Sequence, residues 1–215
     1  MQGRWDFGCR RLYLCTPDRP DVEQFVADCI DGGVDVVQLR EKSAPDSRIV
    51  RTARRLTDVC RERNVPFILN DRPDLATDSG ADGVHVGQQD TSAGTARRIL
   101  GERAVVGLST HAADELELSA DEPVDYISAG PVVETPTKPG RPGTGVDYVS
   151  LAVTRSLRPV FVTGGVTPDS VPALARAGAR HFVVVRYLTE SDDPASAARA
   201  LREAIDRVVP GGQPT

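Results

Sequence analysis

The sequence predicts a single (β/α)8 barrel spanning residues 1–215. Three observations carry that expectation. Short β-branched runs alternate with longer amphipathic ones almost from end to end, the mark of βαβ units and a parallel sheet. Eight such runs divide the chain into units of roughly 27 residues, compact but within reach of the fold. The competing arrangement, an open doubly wound sheet, carries a glycine-rich turn after its first strand. Here that strand meets Thr16-Pro17-Asp18-Arg19-Pro20 instead.

The first strand is expected at 11–15, where Leu12, Tyr13 and Leu14 supply the apolar run, and the second at 34–39, where valines dominate. Phe67-Ile68-Leu69 marks the third at 66–70, and Val84-His85-Val86 the fourth at 83–86. The remaining four fall at 104–108, 124–128, 159–162 and 181–185. Amphipathic helical patterns lie between them at 21–30, 46–63, 91–100, 112–119, 148–156, 170–177 and 194–209, with a shorter one at 72–79. The Pro/Gly-rich stretch 135–145 is the one long irregular segment, and a loop of that length in a compact barrel reads as a lid or binding loop. The tail from about residue 210 is expected to be disordered.

Composition narrows the function. With 26 basic and 31 acidic residues the formal charge is -5, which argues against nucleic acid or an anionic membrane as the main partner. A chain of this size buries roughly 70% of its unfolded surface, so it needs no metal or disulfide to fold. The cysteines (Cys9, Cys15, Cys29, Cys60) form no C-x-x-C pair and read as buried, reduced thiols. No signal-peptide pattern and no membrane-length apolar run is present, so a soluble cytoplasmic protein is expected. One imbalance stands out: among 26 basic residues only Lys42 and Lys138 are lysine. Either the composition is biased toward arginine, or these two positions need a compact ammonium rather than a planar guanidinium fork.

In such a barrel the active site forms at the C-terminal ends of the strands. After the second strand, Gln38, Arg40 and Lys42 alternate, which puts them on one face, with Leu39 and Glu41 on the other. Two cations and an amide converging there suit a polyphosphate, although a solvated charged turn has the same look. The third strand ends in Asn70-Asp71, and Asp90 follows the fourth. Two carboxylates from neighbouring strand ends beside cations form a Mg²⁺ site of the usual composition; Asp71 alone reads equally as a helix N-cap. His85 points into the barrel, as a ligand-facing or a satisfied core residue. Ser109-Thr110 either donates to phosphate or caps the next helix. Gly164-Gly165 lets backbone N–H groups approach an anion after the seventh strand, and the amides at Val185-Arg186 complete that cradle. Lys138 lies on the long loop between the two anion sites.

Read together, these segments resemble a known family. Gln38-Leu39-Arg40-Glu41-Lys42, Asn70-Asp71-Arg72, the run from Ala81 to Asp90, Gly107-Leu108-Ser109, Gly130-Pro131 leading to Thr135-Pro136-Thr137-Lys138, and Thr163-Gly164-Gly165-Val166 are similar to thiamine phosphate synthase, in unbroken order. The resemblance implies a transferase joining 4-amino-5-hydroxymethyl-2-methylpyrimidine diphosphate to 4-methyl-5-(2-phosphoethyl)thiazole, giving thiamine monophosphate and diphosphate. It assigns the segment Gln38, Leu39, Arg40, Glu41, Lys42 with Asn70, Ser109 and Lys138 to the pyrimidine diphosphate; His85 is a candidate pyrimidine contact whose role stays open. It assigns Asp71 and Asp90 to Mg²⁺, one ion per subunit. Thr135, Pro136, Thr137, Gly164, Gly165, Val185 and Arg186 fall to the thiazole phosphate. Arg40, Lys42 and Lys138 become the catalytic electrostatic groups, so both lysines meet one diphosphate. The family usually has Ser where Arg186 stands, which leaves a backbone contact intact but no side-chain hydroxyl.

Two other readings remain open at this stage. A related barrel isomerises the thiazole phosphate, with His85 as its base, and a non-catalytic barrel would sense thiamine precursors. The partners expected are small-molecule substrates, without nucleic acid or membrane. The oligomeric state is open, a homo-oligomer included.

Overall fold

The computed structural model describes residues 5–136, 140 and 142–209. Thr137, Lys138 and the tail from 210 therefore lie outside the described residues. Eight strands close into one parallel barrel in sequence order. They are β1 (Leu12–Thr16), β2 (Val36–Leu39), β3 (Phe67–Asn70), β4 (Gly83–Val86), β5 (Val105–Thr110), β6 (Tyr126–Ala129), β7 (Val160–Thr163) and β8 (His181–Val184). β8 returns to β1 through the register Tyr13↔Val183, which closes the ring. The helices are α1 (Val22–Asp31), α2 (Asp46–Glu62), α3 (Pro73–Ser79), α4 (Ala93–Leu100), α5 (Ala113–Leu118), α6 (Gly145–Arg155), α7 (Val171–Arg176), α8 (Arg186–Thr189) and α9 (Pro194–Val208).

Several strands run later than the apolar pattern suggests. Polar residues at their C-terminal ends still join the ladder, as in Thr16↔Leu39, Thr110↔Ala129 and Thr163↔Val183. The prolines at 66 and 159 accept from Val37 N–H and Ile127 N–H but have no N–H of their own to give, so the strands begin after them. α6 begins three residues earlier than expected, and the short α8 was not anticipated at all.

Alternation along the strands sorts side chains into two packed regions. Leu12, Leu14, Val37, Leu39, Val84 and Val86 point outward and pack with the helices in the main core. Tyr13, Val36, Ile68, Val105, Tyr126 and Phe161 point inward and, with Phe7, fill the N-terminal half of the barrel. Phe7 stacks on Tyr126 at 4.7 Å between ring centres and so plugs that end. An aspartate precedes each of β2, β4 and β6. Asp35 accepts from the Arg11 and Leu12 amides, Asp82 from Phe67, and Asp125 from Val106. Each carboxylate thus takes a backbone N–H at the start of the neighbouring strand, where the ladder has not yet begun. With its N-terminal half filled and stapled, the barrel opens at the C-terminal mouth.

Of the cysteines, Cys15, Cys29 and Cys60 are buried thiols outside any disulfide, as expected, whereas Cys9 is exposed in the bend before β1. Burial pushes the Cys29 thiol up to about 12 and raises Cys60 likewise, so neither is a nucleophile. Among the described residues, no helix is long and apolar enough to cross a membrane.

Candidate active site

At the C-terminal mouth lies a cavity of about 410 Å³, large enough for a drug-sized ligand. Its floor is polar. Gln38 lies one residue before the end of β2 and is buried at 5% exposure, Asn70 ends β3, and Ser109 lies in β5 rather than after it. Ser109 therefore caps no helix, and neither does Thr110, whose hydroxyl donates to the Ser128 carbonyl. The Asn70 Nδ2 is buried without a hydrogen-bond partner among the described residues, a donor facing a cavity that can supply an acceptor.

Arg40 continues the β2 alternation, because its N–H still bonds the Thr16 carbonyl at 2.8 Å, and it lines the cavity with Lys42. Leu39 and Glu41 do not line it. Leu39 is in the outer core, and Glu41 Oε1 accepts from Ser43 N–H, Ser43 hydroxyl and Ala44 N–H, which shapes the turn into α2. Lys42 Nζ pairs with Asp71 Oδ2 at 2.9 Å. Asp71 is not a helix cap; Arg72 holds that place, and Asp71 sits in the left-handed region at φ 62°. Non-glycine residues seldom adopt that conformation, and Asp is among the few that do. The twist turns its carboxylate to the mouth, where it meets Asp90. Burial raises the Asp71 carboxyl, Asp90 raises it further, and Lys42 opposes both. Asp90 is itself anchored, since its Oδ2 accepts from Gly87 N–H at 3.0 Å.

This pair suits a divalent ion. Two like charges forced together are relieved by a cation, and Mg²⁺ characteristically takes one or two carboxylates plus substrate phosphates and waters. Among the described residues, no group of three or more His, Cys, Asp or Glu side chains is placed to hold a metal.

Across the cavity, Gly164 and Gly165 follow β7 at φ 96° and 74°. A Cβ on Gly164 would stand 2.7 Å from Val132 N, so the turn needs glycine there for contact as well as conformation. Thr135, Val185 and Arg186 also line this side, while Pro136 does not. Arg186 is held by Glu190, with Nε to Oε1 at 2.8 Å.

The matching family model is described as thiamine monophosphate synthase, and it spans residues 12–188. The chain belongs to that family. It is 43% identical to a protein of Thermobifida fusca named thiamine-phosphate synthase, over 91% of this chain and 92% of that one. Its identity to a protein of the same name from Thermus thermophilus is 44%, over 91% and 97%. The solved thiamine phosphate pyrophosphorylase of Pyrococcus furiosus superposes with a TM-score of 0.85 at 26% identity, covering 93% of this chain and 96% of that one.

Within this thiamine monophosphate synthase fold, sequence reasoning missed Tyr13, Tyr126 and Ser128, which all line the cavity. The signal was present: Tyr126 and Ser128 alternate along β6 as His85 does in β4, and the argument that faces His85 inward applies to them. His85 Nδ1 lies 3.0 Å from Tyr126 Oη, and Nε2 lies 2.9 Å from Ser109 Oγ. Gly107 leaves the space for this meeting, since a Cβ there would stand 2.2 Å from Tyr126 Cζ.

Proposed function

We infer that the chain joins 4-amino-5-hydroxymethyl-2-methylpyrimidine diphosphate to 4-methyl-5-(2-phosphoethyl)thiazole, forming thiamine monophosphate and releasing diphosphate. One observation carries this reading: a single cavity holds a cation–carboxylate cluster on one side and a glycine turn on the other, with a polar floor between them. The two sides suit two phosphorylated substrates, and the floor suits a heterocycle.

The bond that breaks joins the pyrimidine's methylene carbon to the diphosphate oxygen, and the electron pair leaves with the diphosphate. The aminopyrimidine ring delocalises the resulting positive charge, and the thiazole nitrogen closes the new carbon–nitrogen bond. That nitrogen carries no proton, so no general base is needed. His85 accordingly serves position rather than proton abstraction, because both its ring nitrogens face hydroxyl partners; the isomerase reading, which needs an available base, loses its residue. Arg40 and Lys42, with Lys138 from the loop, stabilise the departing charge as fixed electrostatic partners, and groups of this kind are each worth on the order of 10²–10³ in rate. Asp71 and Asp90 would hold Mg²⁺, whose contribution when bound is to neutralise diphosphate charge. Gly164, Gly165 and the Val185-Arg186 backbone receive the thiazole phosphate, and Thr135 and Thr137 are assigned to the same substrate.

Thermal-shift titration with each substrate, run beside a diphosphate-release assay, tests the reading. Stabilisation by both compounds with release of diphosphate is expected. Stabilisation without release would make the chain a sensor of thiamine precursors instead.

A further inference from the structure

Beneath the cavity floor a chain of buried groups links Gln38 to Ser109. Gln38 Nε2 donates to Tyr13 Oη at 2.8 Å, and Tyr13 Oη lies 2.9 Å from Tyr126 Oη. Tyr126 Oη lies 3.0 Å from His85 Nδ1, and His85 Nε2 lies 2.9 Å from Ser109 Oγ. On the other side of the amide, the Cys15 thiol donates to Gln38 Oε1 at 3.1 Å. Both tyrosines are at most 1% exposed, with rings packed on each other and on Phe161.

Counting protons gives this chain a direction. An amide nitrogen can only donate, so Tyr13 oxygen accepts from Gln38 and its one hydroxyl proton goes to Tyr126. Tyr126 in turn donates its hydroxyl hydrogen bond to His85 Nδ1. That nitrogen is then the acceptor, so the neutral ring carries its proton on Nε2 and donates to Ser109 Oγ. Burial raises both phenols well above the usual tyrosine range, so each keeps the proton this order requires. Turning the Gln38 amide over would reverse every bond in the series and set the Cys15 donor against an NH₂ group.

The locked amide offers the cavity one N–H and one carbonyl lone pair in fixed positions. A 4-aminopyrimidine presents the complement, a ring nitrogen acceptor beside an amino donor. A 4-oxopyrimidine presents the opposite order, a ring N–H beside a carbonyl. We propose that Tyr13, Tyr126, His85 and Cys15 are positioning residues that lock the Gln38 amide in one orientation, and that this lock selects 4-aminopyrimidine over 4-oxopyrimidine diphosphates. The proposal rests on the synthase reading, which puts Gln38 and Ser109 against the pyrimidine.

The test is steady-state kinetics with the 4-amino and 4-oxo pyrimidine diphosphates for the native enzyme, Tyr13→Phe and Tyr126→Phe. The native enzyme is expected to favour the amino compound strongly, since a site built around one hydrogen-bond pattern rejects the reverse pattern. Each variant keeps its ring but loses the lock. The amino:oxo ratio of kcat/KM should fall roughly tenfold or more, the scale of one lost hydrogen bond. The change should lie mainly in KM for the pyrimidine, with KM for the thiazole phosphate unmoved. Cys15→Ala loosens the amide from the other side and leaves both tyrosines in place, so it serves if a tyrosine variant fails to fold. Equal losses for both compounds, or no native preference, would overturn the proposal. A native protein that releases diphosphate from neither compound would overturn the synthase reading beneath it.

Discussion

Gly107→Ala places one methyl group where the structure has no room for it. The new Cβ would stand 2.2 Å from Tyr126 Cζ, 2.5 Å from its Oη and 2.6 Å from His85 Nδ1, against an ordinary contact of 3.4–4 Å. The tyrosine ring would have to retreat by more than about 1 Å. It cannot do so freely, because Phe7 stacks on it at 4.7 Å and Phe161 meets it edge-on at 5.2 Å. Forcing a methyl into a packed interior of this kind costs about 1–3 kcal/mol. For a protein of this length the melting temperature should fall by roughly 2–12 °C, at about 2–4 °C per kcal/mol. The Tyr126–His85 hydrogen bond should break at the same time, which costs roughly tenfold in kcat/KM for the aminopyrimidine substrate. Gly94→Ala supplies the control. No atom lies within 4 Å of its added Cβ, and it sits in α4, so alanine should stabilise the protein by about 0.5–1 kcal/mol. Calorimetric melting and steady-state kinetics on the two variants read both effects. A Gly107→Ala protein that melts and turns over like the native one would mean that Tyr126 and His85 do not meet as described.

Asp90→Asn keeps the acceptor for Gly87 N–H but removes the charge that helps hold the Asp71 carboxyl up. A raised carboxyl binds its proton more readily in the folded state, so the ionised pair costs stability above that raised value and the cost disappears as pH falls through it. The variant should therefore melt higher than native at neutral pH without metal, and the gap should close on acidification. Mg²⁺ should stabilise the native protein and not the variant, which thermal shift reads directly. Lys42→Arg should lower kcat/KM at least tenfold, because a planar fork replaces the ammonium that meets Asp71 at 2.9 Å. Its melting temperature should move little, since the lysine side chain is half exposed. Arg97→Met should lose about 3–5 kcal/mol by denaturant unfolding, because it strips the guanidinium from the largely covered Asp125 carboxylate at 2.8 Å and from the Pro123 and Ala104 carbonyls.

Most of the barrel was legible because its strands are nearly continuous apolar runs, and parallel strands covered on both faces are built that way. Their polar C-terminal residues were not. Ser109 and Thr110 look like a helix cap in sequence, and only the pairing of β5 with β6 shows them to be strand. Alternation by two put Gln38, Arg40 and Lys42 on one face, and all three line the cavity. Glu41 and Leu39, carried along by adjacency, face elsewhere for the same reason. The pairing of Lys42 with Asp71 depends on a left-handed backbone at Asp71, and no local pattern announces that conformation. Tyr13 and Tyr126 pass for ordinary core aromatics; their hydroxyls gain meaning only when barrel closure brings residues 113 positions apart to 2.9 Å.

The central claim is that both heterocycles meet in this one cavity and leave it joined. Single-turnover mixing of the protein with both compounds and Mg²⁺, with diphosphate and thiamine monophosphate quantified from the same quenched samples, tests it most directly. The account requires the two products to appear together in equal amounts, and neither to form when the thiazole phosphate is mixed without its partner. Tight binding of both compounds with no thiamine monophosphate formed would contradict it.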